Sequence, residues 1–257
     1  MEASNKYSVE RITWFKRWTD KLFSFRLTRQ PAFRFIPGQF VRLGLPVDDG
    51  RLAWRPYSMV SAAYDDHLEF YSIEVPQGEF TTRLARLREG DEVAVDRTAW
   101  GHLTTSRFHS GNDLWMLATG TGLAPFLSIL TDPAVWEQYR HLILVHSVRE
   151  APELAYQDWL AALPRHPLVG AYAERLRYQP VVTRSAHPGA LGRRIPALLH
   201  DGSLERAMDL PLDPAGSRLM VCGNPEMVED TRLALAEGGF HLSKRGQPGQ
   251  VAVENSY

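Results

Sequence analysis

The sequence predicts two domains, an N-terminal antiparallel β-barrel and a C-terminal α/β domain built on a doubly wound parallel sheet. Two observations predict this architecture. Residues 7–95 form short runs of alternating hydrophobicity separated by turn sequences, which is typical of an antiparallel barrel or sandwich. From residue 113 onward, apolar strands alternate with helical segments, which indicates a parallel sheet covered by helices. The 257 residues are enough for two cores, and we expect domains 1–104 and 105–257.

The N-terminal half contains strand-like runs such as FSFRLTR, FVRLGL and LEFYSIEV. The segment GEFTTRLARLREG predicts one helix, which packs on the barrel and ends at Gly90. Pro56 stands inside the strand-like run LAWRPYSMV. Since proline cannot donate to a β-ladder, we expect Pro56 at a strand end, an edge or a bulge, where Arg55 and Tyr57 face something other than a neighbouring strand.

The C-terminal half contains two strand–turn–helix units, LWMLATGTGLAPFLSIL and RLMVCGNPEMVEDTRLAL. The first has a G-x-G turn with Pro125 near the helix start, and the second has Asn224 as the predicted N-cap before Pro225. Between them, HLILVHSV and LRYQPVVTR read as strands, and PELAYQDWLAAL and IPALLHDG as helices. Backbone N–H groups at such helix starts can bind phosphate, although a tight turn without a ligand gives the same pattern.

Composition excludes several classes of protein. Hydrophobic residues make up 44% of the chain and charged residues 23%, as in globular proteins. The single cysteine, Cys222, excludes disulfides, a cysteine-rich zinc site and an all-cysteine iron–sulfur cluster within this chain, and we expect no metal site. The N-terminal sequence lacks the apolar core of a signal peptide, and the apolar run 114–130 is too interrupted to span a bilayer. We therefore expect a cytoplasmic protein without a membrane segment.

Charge is unevenly distributed along the chain. The net charge is −1, yet residues 1–55 contain eleven Lys and Arg against five Asp and Glu. A modestly basic N-terminal region can attract an acidic partner, although the solvated faces of ordinary strands give a similar count. We expect no nucleic acid as a partner, and the absence of a long exposed apolar stretch favours a monomer.

The strand ends of the C-terminal half carry basic rather than acidic residues. NAD-specific folds place an acidic residue on the ribose at the end of the second strand, but LILVHSVR ends in Arg149. Thr183 and Arg184 follow the next strand, and Arg193 and Arg194 lie a few residues further on. Because guanidinium binds phosphate in a bidentate fork, this set favours the 2′-phosphate of NADP. The alternative is that these arginines cap helices and face water.

Five motifs together resemble the ferredoxin-NADP reductase family, and more narrowly its bacterial ferredoxin/flavodoxin-NADP reductases. The motifs are RPYS, FIPGQFV, GEFTTRL, GTGLAPFLSIL and CGNPEMV, and the resemblance runs along essentially the whole chain. It implies an FAD-binding barrel, an NADP-binding α/β domain, the cofactors FAD and NADP(H), and an acidic ferredoxin or flavodoxin as electron-transfer partner. The implied reaction is hydride transfer at flavin N5 together with single-electron exchange with that partner.

The resemblance also assigns residues to FAD. It implies that Arg55 pairs with the diphosphate, Tyr57 packs on the flavin, and Ser58 points its hydroxyl toward N5. These roles suit the residue types, because an aromatic side chain packs well against a planar ring and a guanidinium binds a diphosphate. The other FAD-binding residues that it implies are Pro56, Tyr71, Ser72, Ile73, Val75, Phe80, Thr81, Thr82 and Thr121.

For the nucleotide and the reacting rings, the resemblance implies a second set. The residues that align the nicotinamide with the flavin are Ser58 and Cys222, with Glu254 as a further candidate near the same place. Tyr257 stacks on the isoalloxazine and must move for nicotinamide to reach it. The NADP-binding residues that it implies are Gly120, Thr121, Gly122, Arg149, Thr183, Arg184, Arg194, Cys222 and Gly223.

Two other functions fit the same sequence. One is an NAD(P)H-dependent reductase that serves free flavin or an oxygenase, which shares the two-domain design. The other is a redox sensor that holds FAD without turnover, for which NADPH would not reduce the bound flavin.

Overall fold

The computed structural model describes residues 4–48, 50–244 and 246–256. Its first sheet is antiparallel, and its six strands follow the spatial order β4-β3-β6-β1-β2-β5. The strands are β1 Tyr7–Arg17, β2 Leu22–Thr28, β3 Phe40–Pro46, β4 Leu52–Ser58, β5 His67–Ile73 and β6 Glu92–Asp96, and helix α1 (Glu79–Leu84) lies between β5 and β6.

This sheet curls into a barrel because the chain after β4 returns to β5. Met59 pairs with Phe70, and the N–H of Val60 donates to the carbonyl of Glu69 at 2.8 Å. The interior is apolar and rich in aromatic side chains, which follows from the alternating strands. Its fully buried members include Phe23, Phe25, Leu27, Val41, Leu43 and Phe70. The predicted antiparallel barrel is confirmed.

The second sheet is parallel, with the order β11-β10-β7-β8-β9. The chain moves from β7 outward to β9 and then crosses to β10 and β11, so the predicted doubly wound fold is confirmed. The elements are β7 Asp113–Thr119, α2 Ala124–Leu130, α3 Pro133–Gln138, β8 His141–Val148, α4 Gln157–Ala162, β9 Leu176–Val182, α5 Ile195–His200, α6 Ser203–Met208, β10 Ser217–Gly223, α7 Pro225–Glu237 and β11 Val251–Asn255.

Both faces of this parallel sheet are buried, as the unbroken apolar strands predict. Alternate residues of β7 enter different apolar layers: Met116 packs with α2 and α3, whereas Trp115 and Leu117 pack with α5, α6 and α7. The strand order reverses between β7 and β10, and the crevice at their carboxyl ends is where doubly wound folds bind ligands.

Two predicted helices differ from the structure. The segment PELAYQDWLAAL is not one helix: a 3₁₀ turn covers Ala151–Glu153, Tyr156 adopts the left-handed conformation with φ 63°, and α4 begins only at Gln157. Tertiary contacts of the buried Tyr156 side chain override the local helix signal. In the other, α1 ends at Leu84, well before Gly90, which forms its own turn at φ 94°.

The two sheets are joined by residues 97–112, and they also pack against each other. Val60 and Tyr71 of the barrel share an apolar cluster with Phe126 of α2, and the Ser128 hydroxyl donates to the carbonyl of Ser61 at 2.8 Å. The boundary at residue 104 falls within the joining segment and stays a prediction. Within the described ranges, every helix is too short or too polar to cross a membrane.

Candidate active site

Strand β4 lies at the edge of the first sheet, and this position explains its unusual sequence. Pro56 lies opposite Arg42 of β3, and no strand of the sheet flanks its other side, so its missing N–H breaks no ladder. Arg55 is exposed; its guanidinium donates to the carbonyl of Trp54 at 2.9 Å and pairs with no carboxylate in the described part of the chain. An uncommitted guanidinium of this kind can bind an anion such as a diphosphate.

Tyr57 forms an aromatic wall on the barrel. Its ring lies 5.9 Å from that of Phe80 and 6.2 Å from that of Phe70, and its hydroxyl lies 3.2 Å from Ser72 Oγ. Burial raises the pKa of Tyr57 to about 12, so the phenol stays neutral. A neutral, fixed aromatic side chain at the edge strand suits packing against a planar ring.

Strand β5 supplies a second group of predicted residues beside Tyr57. Tyr71 and Ser72 are both 3% exposed, and Ile73 is half-buried at the strand end. Among the described residues, the Tyr71 hydroxyl is buried without a hydrogen-bond partner, and burial raises its pKa above the ordinary value. Val75 lies beyond the strand and is 43% exposed.

The turn into α1 uses several predicted side chains for its own structure. Phe80 is 2% exposed and belongs to the barrel core. The N–H of Val75 donates to Thr81 Oγ1 at 3.1 Å, which fixes the turn before the helix, and Thr82 is half-buried on α1. What this segment can offer to a ligand is therefore mainly backbone and the Thr82 hydroxyl.

The two strand–turn–helix units of the second domain meet at the crevice between β7 and β10. A Cβ atom on Gly122 would lie 2.3 Å from the carbonyl oxygen of Cys222, and one on Gly223 would lie 2.0 Å from Thr119 Oγ1. Only glycine permits this approach of the two turns. Gly120 and Thr121 complete the first turn, which is a 3₁₀ turn that leads into α2.

The second turn is held by the predicted cap. Asn224 Oδ1 accepts hydrogen bonds from the N–H groups of Glu226 at 3.0 Å and Met227 at 3.4 Å, and its own N–H donates to Thr119 Oγ1 at 3.0 Å. The predicted N-cap at Asn224 and the predicted first-turn Pro225 are confirmed. The turns after β7 and β10 are thus rigidly joined.

Three predicted residues from the two domains come together at this crevice. Cys222 pairs with Glu254 across the parallel strands β10 and β11, and the Ser58 hydroxyl of the barrel lies 3.5 Å from Glu254 Oε1. Burial raises the pKa of Glu254 to about 7, and the Ser58 hydrogen bond opposes that rise. Burial, followed by the charge of Glu254, raises the pKa of the Cys222 thiol far above its ordinary value, so the sulfur is not a thiolate.

Arg149 and Arg184 lie side by side at the carboxyl ends of β8 and β9. The N–H of Arg184 donates to the carbonyl of Arg149 at 2.8 Å, and Glu153 Oε2 accepts from the N–H of Arg149 at 2.9 Å. Both guanidinium groups are exposed and pair with no carboxylate in the described ranges. Thr183 directly precedes Arg184, and its hydroxyl donates to the carbonyl of Val148 at 3.3 Å.

The other two predicted arginines differ from each other in their contacts. Arg193 forms an ion pair with Asp201 and is therefore committed within the protein. Arg194 precedes α5, and its guanidinium, three-quarters exposed, lies 3.8 Å from Glu226 Oε1 at the start of α7. So exposed a pair is weak, which leaves Arg194 free to bind an anion.

The sequence matches two domain families in the order of the two sheets. Residues 17–103 match the oxidoreductase FAD-binding domain, and residues 116–233 match the oxidoreductase NAD-binding domain. The chain is 44% identical over 258 residues to the ferredoxin–NADP reductase of Pseudomonas aeruginosa, covering 99% of this chain and 98% of that protein. It belongs to the ferredoxin–NADP reductase family.

Two further relatives place the chain within this family. It is 36% identical to the flavodoxin/ferredoxin–NADP reductase of Rhodobacter capsulatus over 97% of this chain and 93% of that protein. The crystal structure of a ferredoxin NADP⁺ reductase from Neisseria gonorrhoeae with bound FAD and NADP superposes with a TM-score of 0.92 at 41% identity, covering 99% of this chain and all of that chain. The predicted resemblance to this reductase family is confirmed.

The residues present fit the two cofactors of a ferredoxin–NADP reductase. The uncommitted guanidinium of Arg55 suits a diphosphate, and the Tyr57 ring suits a flavin. The predicted stacking residue, Tyr257, lies outside the described residues. Before it, the N–H of Ser256 donates to the carbonyl of Gly223 at 2.9 Å, so residues 251–256 run along the β10 side of the crevice.

Two residues of this region to which the sequence analysis assigned no function have structural roles at the site. His146 is fully buried, its Nε2 lies 3.2 Å from the carbonyl oxygen of Gly120, and burial lowers its pKa to about 4, so a neutral imidazole holds the first turn. Tyr156 of the second domain is hydrogen-bonded to Ser24 and Glu69 on the outer face of the barrel. No sequence signal distinguishes Tyr156 from a helical residue, whereas His146 was visible only as a polar residue at a strand end.

Proposed function

We propose that this protein is an FAD-dependent oxidoreductase that transfers electrons between NADP(H) and ferredoxin or flavodoxin. The observation that carries this proposal is the meeting of Ser58 from the barrel with Cys222 and Glu254 from the α/β domain, at the crevice where the strand order reverses. Two cofactors held on opposite sides of such a boundary can present their reactive rings to each other. Family membership over the full length of the chain supports the same reaction.

The barrel residues have distinct tasks in this proposal. Arg55 pairs with the FAD diphosphate, and Tyr57 packs on the flavin ring, held by its hydroxyl contact with Ser72. The backbone of β5 at Tyr71 and Ile73, with the segment from residue 75 to 82, flanks the cofactor. We assign these tasks to groups that have no strong partner within the protein. Phe80 is left out because its side chain is part of the barrel core.

The α/β domain selects the nucleotide. The turns at Gly120–Gly122 and at Gly223 admit the nucleotide backbone, and Arg149, Arg184 and Arg194 bind the 2′-phosphate of NADP. Arg149 and Arg184 are joined by a backbone hydrogen bond, so one phosphate can accept from both guanidinium groups. The enzyme therefore prefers NADPH to NADH.

When bound, FAD would supply the capacity to take a hydride from nicotinamide and to pass single electrons to the partner protein. The protein aligns the rings and excludes water. The neutral Cys222 thiol, 1% exposed, walls the nicotinamide side, and it is not a nucleophile. With a pKa of about 7, Glu254 can hold or release a proton at its carboxylate near neutral pH, and Ser58 Oγ connects that carboxylate to the barrel side of the crevice.

The partner in this proposal is an acidic one-electron carrier of the ferredoxin or flavodoxin type. The excess of Lys and Arg in residues 1–55 supports such a partner, because opposite charge steers association. We further propose that the protein acts in the cytoplasm as a monomer.

The test is an anaerobic absorbance spectrum of the purified flavoprotein before and after addition of NADPH and, separately, NADH. The expected result is rapid bleaching of the flavin bands by NADPH, slow bleaching by NADH, and reoxidation on addition of a bacterial flavodoxin or ferredoxin. Flavin that ignores both nucleotides would favour a sensor that does not turn over. Bleaching without electron transfer to either carrier would favour a reductase of free flavin or of an oxygenase.

A further inference from the structure

One tyrosine of the α/β domain packs against the outer face of the barrel in a conformation that non-glycine residues rarely adopt. Tyr156 has φ 63° and ψ 14°, in the left-handed region, and is 4% exposed. That conformation is costly for a residue with a Cβ atom and persists only where surrounding contacts enforce it. The contacts that enforce it are made by its side chain on the other domain.

The Tyr156 hydroxyl takes part in a continuous series of hydrogen bonds on the outer face of the barrel. It donates to Glu69 Oε1 at 2.9 Å, so the Ser24 hydroxyl, 2.6 Å away, donates to it. Ser24 Oγ in turn accepts from Trp18 Nε1 at 2.8 Å. The other carboxylate oxygen of Glu69 accepts from Arg26 Nε at 2.7 Å, so both carboxylate oxygens of Glu69 are hydrogen-bonded.

The ring of Tyr156 is also held from two sides by barrel residues. It lies 4.8 Å from the ring of Trp18 and 5.4 Å from that of Tyr71, the latter edge-on. Tyr71 precedes Ser72, which contacts the Tyr57 hydroxyl at 3.2 Å. The side chain of Tyr156 is therefore linked to the aromatic wall proposed for the flavin through two side-chain contacts and the backbone of β5 between Tyr71 and Ser72.

The backbone of Tyr156 belongs to the segment that carries Arg149. Glu153 Oε2 accepts from the N–H groups of both Arg149 and Glu150 at 2.9 Å, and a 3₁₀ turn continues to Glu153, so residues 149–156 form one compact unit. One end of this unit presents the guanidinium proposed for the 2′-phosphate. Its other end is Tyr156, whose side chain is held on the outer face of the barrel.

We propose that Tyr156 is a positioning residue for hydride transfer: its hydrogen bonds to Ser24 and Glu69 fix the nucleotide-binding segment 149–156 relative to the flavin side of the barrel. The inference rests on the proposed function. Its physical basis is the steep dependence of the reaction on alignment, since a displacement of about 1 Å far from the reacting atoms can cost about 100-fold in rate. Breaking the link should slow the chemical step without weakening the phosphate site itself.

The experiment compares Tyr156→Phe with Tyr64→Phe. Tyr64 also crosses the domain boundary, with its hydroxyl 3.3 Å from the carbonyl of Thr131 and 3.2 Å from His166 Nε2, but it is 51% exposed and these two partners lie outside residues 149–156. Three quantities are measured for each: the single-turnover rate of flavin reduction by NADPH, the dissociation constant of 2′,5′-ADP, and amide hydrogen exchange of residues 149–157 in the protein without nucleotide.

For Tyr156→Phe we expect flavin reduction to be at least about tenfold slower than in wild type. The affinity for 2′,5′-ADP should stay within about twofold of wild type, and amide hydrogen exchange of residues 149–157 should be faster. Tyr64→Phe should match wild type in all three. An unchanged reduction rate with faster exchange would reduce Tyr156 to a structural brace, and equal effects of both variants would also overturn the proposal. If Tyr156→Phe does not fold, Ser24→Ala, which removes one donor, should show the same pattern at smaller size. A wild-type flavin that NADPH cannot reduce would instead overturn the proposed function.

Discussion

Ser58 and Glu254 are 196 residues apart in the chain, and Ser58 Oγ donates to Glu254 Oε1 at 3.5 Å. The contact joins the end of β4 to β11 and so connects the two domains at the candidate site. A Cβ atom on Gly101 would lie 3.0 Å from the other carboxylate oxygen, which shows how closely the joining segment 97–112 encloses this group. Removal from water is the main cause of the rise in the Glu254 pKa to about 7.

Glu254 makes the stability of the protein depend on pH. In the unfolded chain its carboxyl has a pKa of 4.5, whereas in the folded protein the value is about 7. The folded state therefore binds more protons between these values, so the contribution of Glu254 to stability is fully present below pH 4.5 and is lost as the pH rises through about 7. Glu254→Gln lacks this loss, and we expect its free energy of unfolding to exceed that of wild type by up to about 3 kcal/mol above pH 7, with little difference in acid.

The measurement is thermal or urea unfolding of wild type and Glu254→Gln at a series of pH values. Glu237→Gln, on the exposed end of α7, is the control and should follow wild type throughout. A constant difference between Glu254→Gln and wild type at every pH would contradict a raised pKa for this carboxyl. The pH dependence of flavin reduction should likewise lose an inflection near neutrality in Glu254→Gln.

Arg184 should control the choice between NADPH and NADH. Arg184→Ala would remove the proposed charge-assisted contact with the 2′-phosphate, worth about 1.5 kcal/mol at an exposed site, so the KM for NADPH should rise about tenfold while that for NADH stays nearly constant. Steady-state kinetics with both nucleotides checks this. The matched control is Arg193→Ala, since Arg193 is already paired with Asp201. Equal losses with NADPH and NADH would remove Arg184 from the phosphate site.

Gly122 should be the least replaceable residue of the first turn. Its Cβ in Gly122→Ala would lie 2.3 Å from the carbonyl oxygen of Cys222, which is backbone and cannot rotate away. Overpacking of this kind costs about 1–3 kcal/mol, so the melting temperature should fall by several degrees, with weaker NADP binding because the two turns separate. Gly192→Ala, where a Cβ meets open space, should melt like wild type. Similar melting of both variants would refute the close approach.

Local sequence was sufficient for features that depend on short-range geometry. Asn224 followed by Pro225 predicts a capped helix start, and the structure shows the cap with both hydrogen bonds. Pro56 predicts a strand end, an edge or a bulge; β4 is an edge strand, although its pairing with β3 continues through Pro56 without the expected break. In each case the residue's own backbone or side chain determines the outcome within a few positions.

The same reasoning was wrong where a distant contact decides the backbone. The pattern PELAYQDWLAAL predicts one helix, yet Tyr156 is turned out of it by partners in strands β2 and β5. No periodicity can reveal a partner that lies 132 residues earlier, at Ser24. Likewise, only the folded structure shows that Arg193 is committed to Asp201 while Arg149 and Arg184 are not.

The sequence alone determined the two sheets, their order along the chain, the two glycine turns and the family, because hydrophobic periodicity and turn residues act locally. The tertiary structure decided which of the predicted residues meet: it brings Ser58 to Glu254, Cys222 to Gly122, and Tyr156 to Glu69. It also decided the protonation of the site, since the Glu254 pKa depends on how completely two domains exclude water from one carboxyl group. Burial is a property of the packed molecule, and no single segment carries it.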